Sequence, residues 1–274
     1  MTRLTSMPVI GLCRFSYPAI GGFQVQHETT EDRRRYLYAP ARLEERFRLF
    51  EASTLPCLRN QTDQEFQLLI LIGDCLPKPA HDRLRDLTAG MSQVRIIQKP
   101  PARHRRLMKE LLNNARTDPN QACLQFRHDD DDAVSVDFVE RLRQAAQDCA
   151  GLMQSHETVG IDFNCGYLAR MNADGVQATM VHRPLVTAGL GMYVRGGSSA
   201  TIMSYTHNRL GRIMPVVSYP DAPMWVRSLN GFNDSPATRN AQIELKPLDL
   251  AHEAEFRTRF AIDTQTVRRV HTSG

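Results

Sequence analysis

The sequence predicts an α/β fold built on a mixed, mostly parallel sheet, and three observations predict it. Short apolar runs, Val9 to Cys13, Phe66 to Ile72 and Ala122 to Phe126, alternate with helical patterns through the first 150 residues. The run Phe66 to Ile72 is apolar without alternation, which implies burial on both faces. The run Ala122 to Phe126 leads through Arg127-His128 into four consecutive aspartates, Asp129 to Asp132. That is the carboxyl end of a strand, where open α/β sheets place their ligands.

Val9 to Cys13 is short and rich in β-formers, and therefore a first buried strand. Gly21 to Ala39 is polar and centred on Arg33-Arg34-Arg35, which reads as a long loop. Arg42 to Leu58 follows as a helix, with Leu43, Phe47, Phe50 and Leu55 on one face and Glu44 and Arg48 four apart. After the strand Phe66 to Ile72, Asp74 stands at its carboxyl end, a helix covers Pro79 to Leu87, and Val94 to Gln98 is a third strand. Pro100-Pro101 opens a basic helix, Ala102 to Ala115, with Leu107, Leu111 and Leu112 inward and Arg103, Arg105, Arg106 and Lys109 outward. Beyond the aspartates, Ser135 is the expected N-cap of a helix Val136 to Cys149.

The second half changes character. Thr158 to Phe163, Gly166 to Met171 and Val176 to Val181 read as strands, the last two joined by a tight turn at Asn172-Ala173-Asp174-Gly175. Leu185 to Val194 is apolar and punctuated by glycine, and Gly196 to Ser199 reads as flexible. Tyr205 to Arg212 and Pro215 to Asn233 show little periodicity, and Asp249 caps a last helix, Leu250 to Phe260. Without a low-complexity linker or internal repeat, residues 1–274 read as one domain, with a nucleotide-binding half (1–135) and an acceptor-side half (136–274).

Composition narrows the function. A hydrophobic content of 42% and a charged content of 23% belong to an ordinary globular protein with a full core. The net charge of +4 suits a small anionic substrate and makes no case for nucleic acid. Six cysteines, at 13, 57, 75, 123, 149 and 165, form no C-x-x-C pair or zinc spacing, so reduced thiols in a cytoplasmic setting are expected. The longest apolar run, Leu68 to Ile72, is too short to span a bilayer, and the apolar stretch ended by Arg14 is too short for a signal peptide. Peripheral contact with a membrane stays open through the basic helix, although a solvated face is its simpler reading.

Four adjacent carboxylates repel one another by about 1 kcal/mol per contacting pair in water, and by more where water is excluded. Water or a cation must offset that charge. Hard ions such as Mg2+ and Mn2+ prefer oxygen ligands, and Mg2+ usually takes one or two carboxylates together with substrate phosphates.

Three phrases sharpen the picture: Arg42-Leu43-Glu44-Glu45-Arg46-Phe47, Leu58-Arg59-Asn60-Gln61-Thr62-Asp63 followed by Phe66, and Arg127-His128-Asp129-Asp130-Asp131-Asp132-Ala133. Together they resemble the bacterial rhamnosyltransferase family, over about Val9 to Asn240. The resemblance implies a GT-A glycosyltransferase, with a Rossmann-like nucleotide-binding half and an irregular acceptor half. It implies a donor of the UDP-, GDP- or dTDP-sugar type, a glycan or lipid-linked acceptor, and a divalent cation, Mn2+ or Mg2+, on a D-x-D motif. The motif maps onto Asp129 and Asp131, with Asp132 as a second metal carboxylate and Asp130 toward the ribose; Asp130-x-Asp132 fits the pattern as well. Arg14, Phe15, Asp74 and Arg127 are the implied nucleotide and sugar contacts. His207, in Thr206-His207-Asn208, is the implied metal or phosphate ligand from the second half, with His182 as the alternative. Relatives carry a histidine where this chain has Asn230. An inverting transfer also needs a carboxylate base; Asp162 and Asp234 are the candidates, with Asp221 a third.

Other readings fit less well. A nucleotidyltransferase would show a lysine in a glycine-rich loop, and Gly11 to Gly22 has none. A prenyl synthase needs D-D-x-x-D, and Ala133 occupies the last position counted from Asp129. A non-catalytic carbohydrate-binding protein would keep the fold without turnover.

Overall fold

The computed structural model describes residues 7–21, 27–231 and 243–272. Four strands form a parallel group: β1 (Val9–Arg14), β2 (Gln67–Gly73), β3 (Val94–Lys99) and β4 (Cys123–Asp129). The second half contributes β5 (Ala133–Val134), β6 (Thr158–Phe163), β7 (Cys165–Asn172) and β8 (Gly175–His182). It continues with β9 (Leu190–Val194), β10 (Val216–Tyr219), β11 (Trp225–Ser228) and β12 (Lys246–Pro247). One sheet has the order β10-β6-β9-β4-β1-β2-β3, and the other β12-β8-β7-β11-β5. In the first, β9 alone runs against its neighbours, so the sheet is mixed and mostly parallel, as expected. The apolar run of β2 is buried from Leu68 to Gly73, which is what a strand covered on both faces requires.

Helices α1 (Thr30–Leu37), α2 (Pro40–Leu49) and α3 (Leu55–Arg59) precede β2. The expected loop thus contains a helix. Thr29 caps α1 by accepting from Asp32 N at 3.0 Å, and the helix is polar enough to leave no apolar period in the sequence. The expected helix Arg42 to Leu58 is interrupted by a π-helical turn, Phe50–Thr54. Its apolar face is buried as expected, and Glu44 pairs with Arg48 at 3.4 Å.

Four helices follow through the middle of the chain: α4 (Lys78–Thr88), α5 (His104–Asn114), α6 (Phe138–Asp148) and α7 (Ala150–Ser155). Ser135 does not cap α6, whose N-cap is Asp137. Ser135 N donates instead to Met224 O at 2.9 Å, which fixes β5 against the segment leading into β11. The apolar stretch from Leu185 forms a strand only from Leu190, and the aperiodic stretch Pro215 to Asn233 contains β10 and β11. Helix α8 (Leu250–Phe260) starts at its Asp249 cap as expected; α9 (Thr264–Thr272) is an addition. The tight turn between β7 and β8 pairs Asn172 with Gly175, whose φ of 115° favours glycine.

The larger hydrophobic cluster runs through both sheets. It joins Phe15, Phe47 and Phe126 to Phe163, Tyr167, Trp225 and Phe256. A second cluster packs Leu107, Met108 and Leu112 of α5 against the other face of β1 and β2. These two layers hold the carboxyl ends of β1 and β4 side by side, with Arg14 in register with Asp129.

Candidate functional site

The aspartate run turns over the carboxyl ends of β1 and β4, closed by Asp132 N donating to Asp129 O at 3.3 Å. Each carboxylate has its own partners. Asp129 Oδ1 accepts from Arg14 Nη2 at 3.3 Å and from Arg127 Nη2 at 3.4 Å. Burial pushes its carboxyl up, but Arg127, Arg14 and Arg227 together outweigh that and hold it far below the usual range. Asp130 accepts from Ser16 N at 3.1 Å and from Arg46 Nη1 at 3.1 Å. Arg46 also pairs with Asp131 Oδ2, and Asn230 Nδ2 donates to that same oxygen at 2.8 Å. Asp132 Oδ1 accepts from Ser228 N at 3.1 Å, at the end of β11. Burial, opposed by Arg46, raises the Asp130 carboxyl to about 6; burial and the neighbouring Asp131 push Asp132 well up.

Arg42 and Arg46 were missed as site residues. They lie four apart on α2, both buried, and Arg42 Nη1 donates to Ser16 Oγ at 3.1 Å. Ser16 itself takes the left-handed conformation, φ 46°, which turns its N–H onto Asp130. The signal in the sequence was the Arg-x-x-x-Arg spacing, which puts both guanidinium groups on one helix face. Arg227 on β11 was missed as well, because β11 falls in a stretch without periodicity.

Not every expected contact survives. Phe15 is fully buried, its ring 4.7 Å from Phe47 and 5.3 Å from Phe50, so it is core and offers no face to a nucleotide. Asp162 is also fully buried, and both its oxygens are engaged: Leu185 N donates to one and Ser218 Oγ to the other, each at 2.9 Å. It therefore holds the Leu185 turn, at φ 58°, and cannot receive a proton from an acceptor in a cleft. That turn matters, because His207 Nδ1 lies 2.7 Å from Leu185 O. A carbonyl only accepts, so Nδ1 carries the proton and Nε2 of the neutral ring is the acceptor. Burial lowers the His207 pKa, with Arg127 and Arg227 acting in the same direction and the hydrogen bond to Leu185 O and the charge of Asp129 opposing. His182 is exposed at the end of β8.

Asp74 is exposed at the end of β2, as expected, and its charge reaches the phenols of Tyr17 and Tyr38. Asp221 is exposed and 3.8 Å from Arg141 Nη2. Asp234 lies outside the described residues.

Among the described residues no three His, Cys, Asp or Glu side chains converge on one point. A cage made of protein ligands alone is thus not formed. The all-oxygen donor set does fit the other arrangement open to a hard cation, one or two carboxylates with phosphate oxygens completing the shell.

Parallel strands thus bring an acidic turn and the guanidinium groups of Arg14, Arg46 and Arg127 together at the carboxyl ends of β1 and β4, in an α/β protein. The chain belongs to the family described as "Putative rhamnosyl transferase", whose model matches residues 8–242. No curated protein matches it. Among solved structures, S. aureus TarS 1-349 is similar at a TM-score of 0.42 and 9% identity, over 81% of this chain and 60% of that one. The same protein in complex with UDP-GlcNAc gives 0.42 and 10%, over 92% and 74%. Likeness at that level assigns no chemistry.

Proposed function

We propose that this protein moves a sugar from a nucleoside-diphosphate sugar to a glycan or lipid-linked acceptor, on the GT-A plan, with the donor's diphosphate at the aspartate run. The observation that carries the reading is Asp129, which shares one carboxylate oxygen between Arg14 and Arg127 at the carboxyl ends of β1 and β4. Guanidinium groups bind phosphate bidentately, and they are already gathered where negative charge would develop on the leaving nucleotide. Of the four aspartates Asp129 is the most open, its side chain 27% exposed, so it is the one a donor would meet.

Mn2+ or Mg2+ belongs to the proposal: Asp129 and Asp131, with the donor's phosphate oxygens completing the shell, would hold it, and it would stabilise charge on the leaving phosphate. Asn230 steadies Asp131 from β11's end of the site. Arg42 and Arg46 keep the turn in shape by bracing Ser16, Asp130 and Asp131. Asp74 is the proposed ribose or base contact. For an inverting transfer Asp234 is the proposed base, and Asp221 the alternative. Six free cysteines support a cytoplasmic setting.

Calorimetric titration of UDP-, GDP- and dTDP-sugars, with and without Mn2+, tests the reading on wild type and Asp129→Asn. Binding of one donor that weakens in the variant supports it and names the base. Release of free nucleotide then separates turnover from mere binding. If no donor binds under any condition, the proposal is wrong.

A further inference from the structure

We infer that one face of the molecule, next to the candidate site, seats on an anionic lipid bilayer. Helix α5 and its N-cap present exposed Arg103, Arg105 and Arg106 and half-buried Lys109. The helical turn His207–Arg212 adds exposed Arg209 and Arg212. Fold geometry joins the two segments, because Arg105 Nη2 donates to Thr206 Oγ1 at 2.9 Å.

Neither 103–109 nor 206–213 contains an Asp or a Glu, so six cations stand in these segments of a chain whose whole net charge is only +4. Aliphatic side chains mark the two ends of the patch. Ile20, 51% exposed, forms a backbone bridge with Arg103; Ile213, 54% exposed, follows Arg212. Among the described residues four large apolar side chains are exposed, and two of them are these.

The combination selects the partner. Cations alone would suit any polyanion, and a soluble one would leave both isoleucines in water. A bilayer with anionic headgroups takes both features, since arginines meet the phosphates while isoleucine tips enter the acyl boundary. No helix among the described residues is long and apolar enough to cross a membrane, so the contact is peripheral. Thr206 adjoins His207, which sets the candidate site at the edge of the seat. The inference rests on surface charge and exposure, and it stands apart from the transferase reading.

Cosedimentation of the full chain with phosphatidylcholine vesicles, with and without phosphatidylglycerol, tests it at low and high salt. The chain should pellet only with phosphatidylglycerol, and high salt should release it. Each arginine removed should lower partitioning about fivefold, so the exposed pair Arg209→Gln with Arg212→Gln should lose about 25-fold. Ile213→Ser should also weaken vesicle binding while leaving retention on a heparin column unchanged. Unaltered Tm values for these surface variants keep the comparison clean. No pelleting with phosphatidylglycerol, or full pelleting of the double variant, overturns the inference. So does wild-type behaviour of Ile213→Ser, which would make the face a seat for a soluble polyanion.

Discussion

Arg46 is the residue on which the site's internal charge balance turns. Its side chain is 5% exposed and pairs with both Asp130 and Asp131. Removing one partner of a buried pair leaves uncompensated charge, which costs far more than the pair itself contributes. Arg46→Ala should therefore lower unfolding free energy by roughly 3–5 kcal/mol, measured by denaturant titration at neutral pH. Adding Asp130→Asn should recover part of that loss.

Two histidines near the run set an acid limit. Burial, reinforced by Arg14 and Arg127, pushes His104 down to about 3; burial, opposed by Asp129, pushes His128 down to about 4. The unfolded chain takes up these protons near the ordinary 6.5, and the folded chain does not, so stability is lost as pH falls from 6.5 toward 4. Asp130 works the other way. Its folded carboxyl keeps the proton up to about 6 against an ordinary 3.8, so its contribution declines as pH rises between those values. Denaturant titrations across pH 4 to 6.5 should thus show a shallower slope for His104→Gln and a steeper one for Asp130→Asn.

At the scale of elements, the second sheet is locked to the first by Trp225 of β11. Its indole N–H donates to Phe163 O at 2.8 Å, across from β6. Gly166 on β7 is the space that lets it in, because a Cβ there would meet the Trp225 ring at 2.2 Å and the Trp225 carbonyl at 2.5 Å. A buried ring can shift, but a paired strand carbonyl cannot easily do so. Gly166→Ala should cost about 3 kcal/mol through overpacking, and thermal unfolding would register it as a lowered Tm. Full wild-type stability would mean that β7 and β11 part readily enough to admit the methyl group.

For the whole molecule, the candidate site is where the two sheets meet. Asp129 sits on β4 of one sheet, while Ser228 N and Asn230 reach Asp132 and Asp131 from the end of β11 in the other. A donor bound there would act only on the folded state. At a hundredfold excess over Kd it should raise unfolding free energy by about 2.7 kcal/mol, readable as a Tm increase. If the diphosphate is bound through a divalent ion, a chelator should abolish most of that increase. An increase that survives chelation would leave the arginines as the principal phosphate ligands.

What the sequence determined by itself was the parallel core and the position of the acidic turn. Strands buried on both faces write a continuous apolar run, as in Leu68 to Ile72, and a charged run at a strand end has no apolar neighbours to hide it. Position 230 drew notice only through the family resemblance, and the fold brings Asn230 onto the run. Short polar helices were illegible for the opposite reason: α9 buries only Thr264 and Val267, too few positions to make a period. Tertiary structure alone decided which partners each aspartate takes. Arg46 is 84 residues from Asp130 in the chain, and Ser228 is 96 from Asp132. It also decided that Phe15 and Asp162 are buried, since both stand at strand ends where sequence pattern allows either a core or a site residue. Local periodicity fixes which face of an element is apolar, whereas charge pairing depends on where the other elements come to rest.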